Sequence, residues 1–254
     1  MSLPRRLLER ISRRITLKRR LGPEFGRAPL LVSPGASLSF WWPHLASDLF
    51  AFAAEYVSPG SVVWDIGANV GLLSIAAAQR AGPSGQVITV EADLWLAALL
   101  QRSAAMQGPQ AAPVRVITAA MYRELGLAQF HIAQRSRATN HLALATGGTQ
   151  TGGVRQTVDV VTLTLDWLLD QCGPPQVLKI DVEGAEADVL RGAQRVLSEA
   201  RPVLLCEVYE ANAAYVTETL HAHNYRLFDW DTHPRVSVAT ACYNTLALPV
   251  ERLS

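Results

Sequence analysis

The chain has 254 residues, 49% hydrophobic and 18% charged, with a formal net charge of +1, the composition of an ordinary globular protein of one moderate domain with additions or at most two small ones. No apolar run approaches the ~18–20 residues of a membrane span, and no apolar core follows the N-terminal arginines as a secretory or twin-arginine signal requires. Cys172, Cys206 and Cys242 fit neither a zinc pattern nor a disulfide framework, so a reducing cytoplasm is expected.

The charge is unevenly spread. Residues 1–22 hold eight basic residues against Glu9 alone, a local charge of +7 that leaves −6 for the remainder. Leu3, Leu7, Ile11 and Ile15 recur at every fourth position, so a helix here carries an apolar stripe with basic flanks. Such a segment can lie on an anionic membrane surface or dock on an acidic partner; a solvated leader fits the same residues equally well. Residues 1–45 are therefore read as a basic leader and linker, with peripheral membrane contact through residues 1–22 as one expectation. The domain proper is read as 46–254. Its mildly acidic balance argues against a nucleic-acid groove, and no nucleic-acid partner is expected.

From about Leu30 to Trp42 the text is loop-like, punctuated by Pro34, Gly35 and Pro43. Trp41 and Trp42 can stack on a sugar ring, but adjacent tryptophans more often pack against their own domain. Ser47 can cap a helix through Val57 with Leu49, Phe50, Phe52, Ala53 and Tyr56 on its apolar face. After "SPGS" comes a short, almost wholly apolar strand, Val62 to Ile66, as expected for burial on both faces.

The pattern then alternates. Helix 71–81 precedes strand 86–91, and helix 94–107 precedes strand 114–118. An edge strand at 128–132 leads into a polar stretch, 134–156. Strand 157–161, helix 164–171, strand 176–181, helix 184–198, strand 202–208, helix 212–223 and strand 225–229 follow, closed by an antiparallel strand near 241–247. Strands separated by helices imply a doubly wound α/β fold with a parallel sheet and right-handed crossovers.

Ligands of such sheets sit beyond the carboxyl ends of the strands. There the chain reads Asp65-Ile66-Gly67-Ala68-Asn69-Val70-Gly71, with Glu91 ending the second strand twenty residues after Gly71. The glycines permit a tight bend and close approach to a ligand. A carboxylate at Glu91 can accept both hydroxyls of a ribose. A dinucleotide fingerprint would read G-x-G-x-x-G and seat a pyrophosphate; here an acid stands two residues before the first glycine. Asp65 repels a pyrophosphate and welcomes a cation, which favours S-adenosylmethionine over NAD.

A second constellation is "QVLKIDVEGAEADVLRGA". Its strand emerges into Asp181 and Glu183, preceded by Lys179, and Gly184 opens a helix carrying Glu186 and Asp188. The next strand, "PVLLCEVYE", delivers Glu207 at a comparable height.

Together "DIGANVG", Glu91, "LKIDVEGAE" and "RPVLLCEVY" resemble the FkbM-type S-adenosylmethionine-dependent methyltransferases, over roughly residues 57–230. The resemblance implies a class I methyltransferase fold with sheet order 3-2-1-4-5-7-6 and O-methylation of sugars, glycolipids or polyketide-like products. By position, Asp65, Gly67, Ala68, Asn69, Gly71 and Glu91 match its cofactor motifs. Lys179, Asp181, Glu183, Gly184 and Glu186 match its second motif. After Glu91 the chain departs from the usual proline-containing turn, with Ala92-Asp93 instead; Asp93 is read as a helix cap.

Methyl transfer from a sulfonium needs alignment, exclusion of water and a base for an alcohol nucleophile. Asp181 is the first candidate base and Glu183 the second, with Lys179 fixing one of them. Glu186 is read as a first-turn helix carboxylate. Glu207, His141 and Asn140 are candidate contacts for a hydroxylated small-molecule or glycan acceptor, beside the donors Arg135, Arg137 and Thr139. Asp181, Glu183 and Glu207 offer oxygen ligands for Mg²⁺, but nothing in their spacing requires an ion and none is expected. Rival readings are an N-methyltransferase of nucleic acid or protein, disfavoured by Asp181-Val182-Glu183-Gly184 where base-modifying enzymes carry an Asn/Asp-Pro-Pro-aromatic turn, and a non-catalytic cofactor-binding module.

Overall fold

The computed structural model describes residues 15–42, 48–134, 136–145 and 153–253. The amphipathic stripe up to residue 14, the Ser47 cap, Arg135 and residues 146–152 lie outside them.

In chain order the hairpin β1 (Leu17–Arg20) and β2 (Pro29–Val32) comes first, then α1 (Asp48–Tyr56), β3 (Val62–Ile66), α2 (Leu72–Ala81), β4 (Gln86–Val90), α3 (Leu94–Ala104) and β5 (Val114–Ile117). Next come β6 (Ala120–Met121), β7 (Gly126–Ala133), β8 (His141–Leu142) and β9 (Val154–Leu163). The second half runs α4 (Leu165–Cys172), β10 (Val177–Ile180), α5 (Glu186–Arg191), β11 (Val203–Glu207), α6 (Ala213–Ala222), β12 (Tyr225–Asp229), β13 (Val236–Val238) and β14 (Asn244–Pro249).

Eight strands form the main sheet in the order β5-β4-β3-β10-β11-β14-β12-β13. Counting its seven core strands along the chain, this is 3-2-1-4-5-7-6, with β14 antiparallel to both neighbours and β13 added at the edge. β3 lies in the middle, parallel to β4 and β10, which is why its residues are nearly all apolar. Alternate residues of β3 face opposite layers: Val63 packs with α1, α2 and α3, while Trp64 and Ile66 pack with α4, α5 and α6. Helices on both faces are what buried parallel strands require.

Two stretches depart from the expectation. The edge strand expected at 128–132 and the strand expected at 157–161 leave the main sheet. As β7 and β9 they pair antiparallel with each other and join β6 and β8 in a four-stranded sheet of order β6-β9-β7-β8. Their alternating burial, with Phe130 and Ile132 inward, is that of strands covered on one face only. Helix 184–198 is also interrupted: α5 ends at Arg191, and residues 196–200 form a π-helical turn. A Cβ on Gly192 would strike the Tyr122 carbonyl and the Thr164 side chain. The glycine that permits this crossing thus breaks the helix.

Within the stretch read as leader and linker, the hairpin and the residues up to Phe40 are folded onto the domain. Leu21, Phe25, Leu30 and Val32 are buried in one cluster with Phe52 of α1 and Leu100 of α3. The Leu31 amide donates to Ser103 Oγ of α3 at 2.9 Å. The Arg19 guanidinium donates to the carbonyls of Phe40 and Trp41 at 3.2 and 3.3 Å. Composition concealed this because Lys18 and Arg20 occupy the exposed positions of a half-buried strand.

Leu30→Ala should therefore destabilise the whole protein by about 2–5 kcal/mol, the usual range for truncating a buried leucine. Urea unfolding monitored at Trp64 and the other tryptophans measures it. An unchanged midpoint would return the hairpin to the status of an appendage.

Candidate active site

β3 delivers the chain into a bend at residues 67–71 whose shape is set by close contacts. The Gly67 and Ala68 amides both donate to the Val90 carbonyl of β4, at 2.9 and 3.1 Å. Gly67 adopts φ +73°, and a Cβ there would run into the Asp181 carbonyl. The ends of β3, β4 and β10 therefore converge on one residue that cannot carry a side chain. Asn69, left-handed at φ +55°, turns its amide onto Glu91 Oε2 at 2.8 Å, while its own Oδ1 accepts from Val70 at 2.8 Å.

Glu91 is 7% exposed. Its second oxygen, Oε1, accepts from the Asp93 amide at 2.7 Å. Burial pushes this carboxyl up to about 7, against the lowering effect of those two amides. Each oxygen has one backbone donor and keeps another lone pair. Asp93 caps α3 through Trp95 and Leu96, as read from the sequence.

Beneath the bend sits a buried cation. Lys179 of β10 lies in register with Asp65 of β3. Its ammonium donates to the Gly67 carbonyl at 2.9 Å and stands 3.0 Å from Asp181 Oδ2 and 3.6 Å from Asp65 Oδ1. Burial alone would lower its pKa; Asp181 and Asp65 reverse that and hold it above the ordinary lysine value. Asp65 is 1% exposed, accepts from Ser74 Oγ at 2.5 Å and lines none of the three clefts described below. Its carboxylate stands beside the Lys179 ammonium, beneath the bend.

Asp181, Glu183 and Glu207 come together, with carboxylate oxygens within 4.8 Å of one another. Glu183 takes φ +54° and Gly184 φ +99°, a kink that brings Glu183 to the cluster. The Tyr209 hydroxyl donates to Glu183 Oε2, and the Tyr243 hydroxyl to Glu207 Oε1. Burial, then the neighbouring Asp181, push Glu183 up to about 8; the same two causes push Glu207 up to about 7. Both tyrosines escaped the sequence reading, because nothing local marks a tyrosine that will face a carboxylate from another strand. Three carboxylates at this spacing can ligate a divalent cation, but an ion would compete with the Lys179 ammonium and two tyrosine protons.

Three clefts meet at Asp181. The first, about 550 Å³, runs from Gly67, Asn69 and Glu91 past Ala92, Met121 and Phe130 to Asp181 and Glu183. The second, about 710 Å³, is lined by Asp48, Asp181, Glu207, Trp230, Tyr243 and Asn244 among others. The third, about 760 Å³, lies between Ser37, Ser39 and Phe40 and the far side of the bend, Ala68 to Leu72.

The remaining candidates are placed less directly. Asn140 borders the first cleft, but its side chain donates to Asp93 Oδ2 at 2.7 Å and accepts from the Ala133 amide at 2.7 Å. Arg137 pairs with the same Asp93 and lies over the Trp95 ring. These two ties clamp the segment over the cleft. His141 lines none of the three clefts; it pairs with His131 across β7 and β8, edge to face at 5.2 Å. Trp41 and Trp42 line none either, and Trp42 is exposed.

A doubly wound sheet with a glycine bend, a buried acid at the end of the neighbouring strand and a carboxylate cluster on the adjoining strand is the layout in which such sheets seat a ligand. The chain matches the model of the methyltransferase FkbM domain over residues 65–227, more than half its length, and belongs to that family. Among solved structures, the methyltransferase FkbM of Methylobacillus flagellatus is 15% identical, with a TM-score of 0.48 over 96% of this chain and 58% of that one. A precorrin-6y C5,15-methyltransferase from Geobacter metallireducens is 13% identical, with a TM-score of 0.43 over 78% and 85%. Fibrillarin of Aeropyrum pernix, solved with S-adenosyl-L-methionine bound, is 13% identical, with a TM-score of 0.45 over 79% and 75%. No curated protein sequence matches the chain.

Glu91, Glu183 and Glu207 all have folded-state pKa values raised above the unfolded one. The folded chain thus retains protons that the unfolded chain releases between about pH 4.5 and 8, so their contribution is fully stabilising at low pH and is lost as pH rises. The melting temperature without cofactor should fall between pH 5.5 and 8.5. Replacing the three residues by Gln should flatten that slope; a slope that survives the triple variant would refute the assignment.

Proposed function

We propose that this methyltransferase uses S-adenosylmethionine to methylate a hydroxyl of a sugar, glycolipid or polyketide-like small molecule. One observation carries the reading: Asp181 lines both the cleft bounded by Glu91 and the glycine bend and a second cleft that holds the carboxylates of Glu207 and Asp48. The donor and acceptor of a transfer need two such compartments joined at one point.

The first cleft suits this cofactor. Glu91 has lone pairs for two ribose hydroxyls, the Gly67 and Asn69 backbone lies beside it, and Ala92, Met121 and Phe130 offer apolar walls to a base. Asp181 and Glu183 favour a cation at its inner end. Among the described residues lining this cleft, Arg137 is the one cation a pyrophosphate would find, and it is already paired with Asp93. That charge balance speaks against NAD.

When bound, S-adenosylmethionine supplies a methyl group made electrophilic by positively charged sulfur. The rest falls to the chain. Glu183, pushed up to about 8, is matched to take the acceptor's hydroxyl proton near neutral pH. Asp181, the first candidate from sequence, has Oδ2 held by Lys179 and serves to orient the hydroxyl. Glu207 and Asn244 stand at the acceptor end. The carboxylates disfavour phosphorylated acceptors and nucleic acid. Because Lys179 and the tyrosines already engage the cluster, the reaction is read as metal-independent, and full activity after EDTA treatment is expected. Contact of the basic N-terminus with an anionic membrane surface belongs to the same reading, supported by the exposed Lys18 and Arg20.

Calorimetry should detect S-adenosylmethionine and not NAD. Glu91→Ala should weaken cofactor binding at least about tenfold, the loss of one charged hydrogen-bonding group. In the unchanged protein, affinity should rise with pH through about 7 as Glu91 ionises. NAD binding in place of the sulfonium compound would sink the proposal.

With neutral glycosides and glycolipid fragments as acceptors, Glu183→Gln should lower turnover by about 10²–10⁴, the usual contribution of a positioned base, while leaving cofactor affinity intact. Turnover should rise through about pH 8. Equal loss of cofactor affinity would mean that Glu183 binds cofactor instead.

A further inference from the structure

Resting on that reading of Glu183, we infer that the turn after β11, residues 209–212, is the element that positions the base: Tyr209 holds its carboxylate and Asn212 locks the bend that aims it. Nothing in the motif around Lys179, Asp181 and Glu183 reveals this, because the turn lies on the neighbouring strand.

Glu183 sits at φ +54° and Gly184 at φ +99°. A non-glycine residue in the left-handed region persists only where its surroundings over-determine it. Here three groups do so. The Gly184 amide donates to Glu186 Oε1 at 2.7 Å. Asn212 Nδ2 donates to the Gly184 carbonyl at 2.9 Å and to Glu186 Oε2 at 2.7 Å. The Tyr209 backbone is a further hydrogen-bond partner of Glu186, and the Asn212 amide closes the turn on the Tyr209 carbonyl at 2.8 Å. Glu186 is fully buried and Asn212 nearly so. The glutamate read from sequence as a first-turn helix carboxylate is thus the far end of a clamp whose other jaw is the turn.

The turn reaches Glu183 by a second route. The Tyr209 hydroxyl donates to Glu183 Oε2, and its ring meets that of Tyr243 edge to face at 6.1 Å. The charged and titratable groups around Glu183 are Asp181 before it, Glu186 at the start of α5, Glu207 and Tyr209 from the β11 side, and Tyr243 from the loop before β14. Burial, Asp181, Glu207 and Glu186 all push Glu183 upward; the Tyr209 hydrogen bond pulls it down.

The two residues therefore have opposite effects on the same carboxyl. Tyr209→Phe removes a donor from the ionised form, so the Glu183 midpoint should rise by about one pH unit, the value of one hydrogen bond to a charged group. Asn212→Ala releases the bend, lets the carboxylate reach water and should bring the midpoint down toward the ordinary range. The full chain, labelled with ¹³C at glutamate Cδ and held with S-adenosylmethionine, is titrated by NMR. Glu183→Gln identifies the resonance, and no acceptor is needed.

Midpoints moving apart in these two directions, with melting temperatures within a few degrees of the unchanged protein, support the proposal. Midpoints that stay within about 0.3 unit of the parent, well below the shift one such bond produces, or that move the same way, overturn it. If Asn212→Ala fails to fold, the sign of the Tyr209→Phe shift alone decides. Absence of S-adenosylmethionine binding would fell the functional reading, whereas binding with unmoved midpoints would fell only this inference.

Discussion

The site is organised around one buried ammonium. Lys179 Nζ lies where β3 and β10 run side by side, touching the Gly67 carbonyl and flanked by Asp181 and Asp65. An unpaired charge there would cost several kcal/mol, so the register of the two central strands, the path of the glycine bend and the direction of Asp181 are all tied to keeping it satisfied. Asp65 lies beneath the bend, with Oδ2 accepting from Ser74 and Oδ1 3.6 Å from the ammonium. The acidic residues that line the first cleft are Glu91, Asp181 and Glu183. The acidic side chains on which the proposed preference for a cationic nucleoside rests are thus not those of the motif alone.

Much of the fold was legible because its signals are local. An apolar run ending in Asp65 and two glycines marks a central strand and its bend, and the spacing to Glu91 marks the next strand end. The parts that escaped depend on partners distant in sequence. β7 and β9 look like strands in either setting; only their mutual pairing, with Leu127 opposite Val161, removes them from the main sheet. The N-terminal hairpin was hidden by its charge, since half of β1 faces solvent and that half is basic.

The carboxylate cluster was legible for the same reason: Asp181, Glu183 and Glu207 end two adjoining parallel strands, where doubly wound folds gather their chemistry. Its regulation was not. Tyr209 and Tyr243 follow no spacing rule, and Asn212 acts on Gly184 from 28 residues away. Asn140 borders the first cleft but is also engaged within the fold. A polar residue in a donor-rich segment looks free to meet a substrate, yet here it satisfies Asp93 and an orphan strand amide. His141 likewise pairs with His131. Exposed-looking polarity in sequence is often polarity already spent on the protein's own backbone.

The clefts divide along the chain in a telling way. Every residue named along the first cleft falls within residues 65–227, the span matched by the family model. The second takes Asp48, Leu49, Trp230, Tyr243 and Asn244 from outside that span, and the third takes Ser37, Ser39, Phe40 and Leu49. The shared part of the chain thus builds the compartment proposed for the cofactor and carries Asp181, Glu183 and Glu207. The segments before and after it line the space on the far side of Asp181, and both are fastened to the core, by Leu31 on Ser103 and Ser136 on the Ala36 carbonyl, and by Tyr243 on Glu207. Loops positioned by a rigid scaffold are where binding preferences diverge. On the proposed reading, the two flanks are therefore where acceptor choice is set, while Lys179, Asp181 and Glu183 belong to the span matched by the family model.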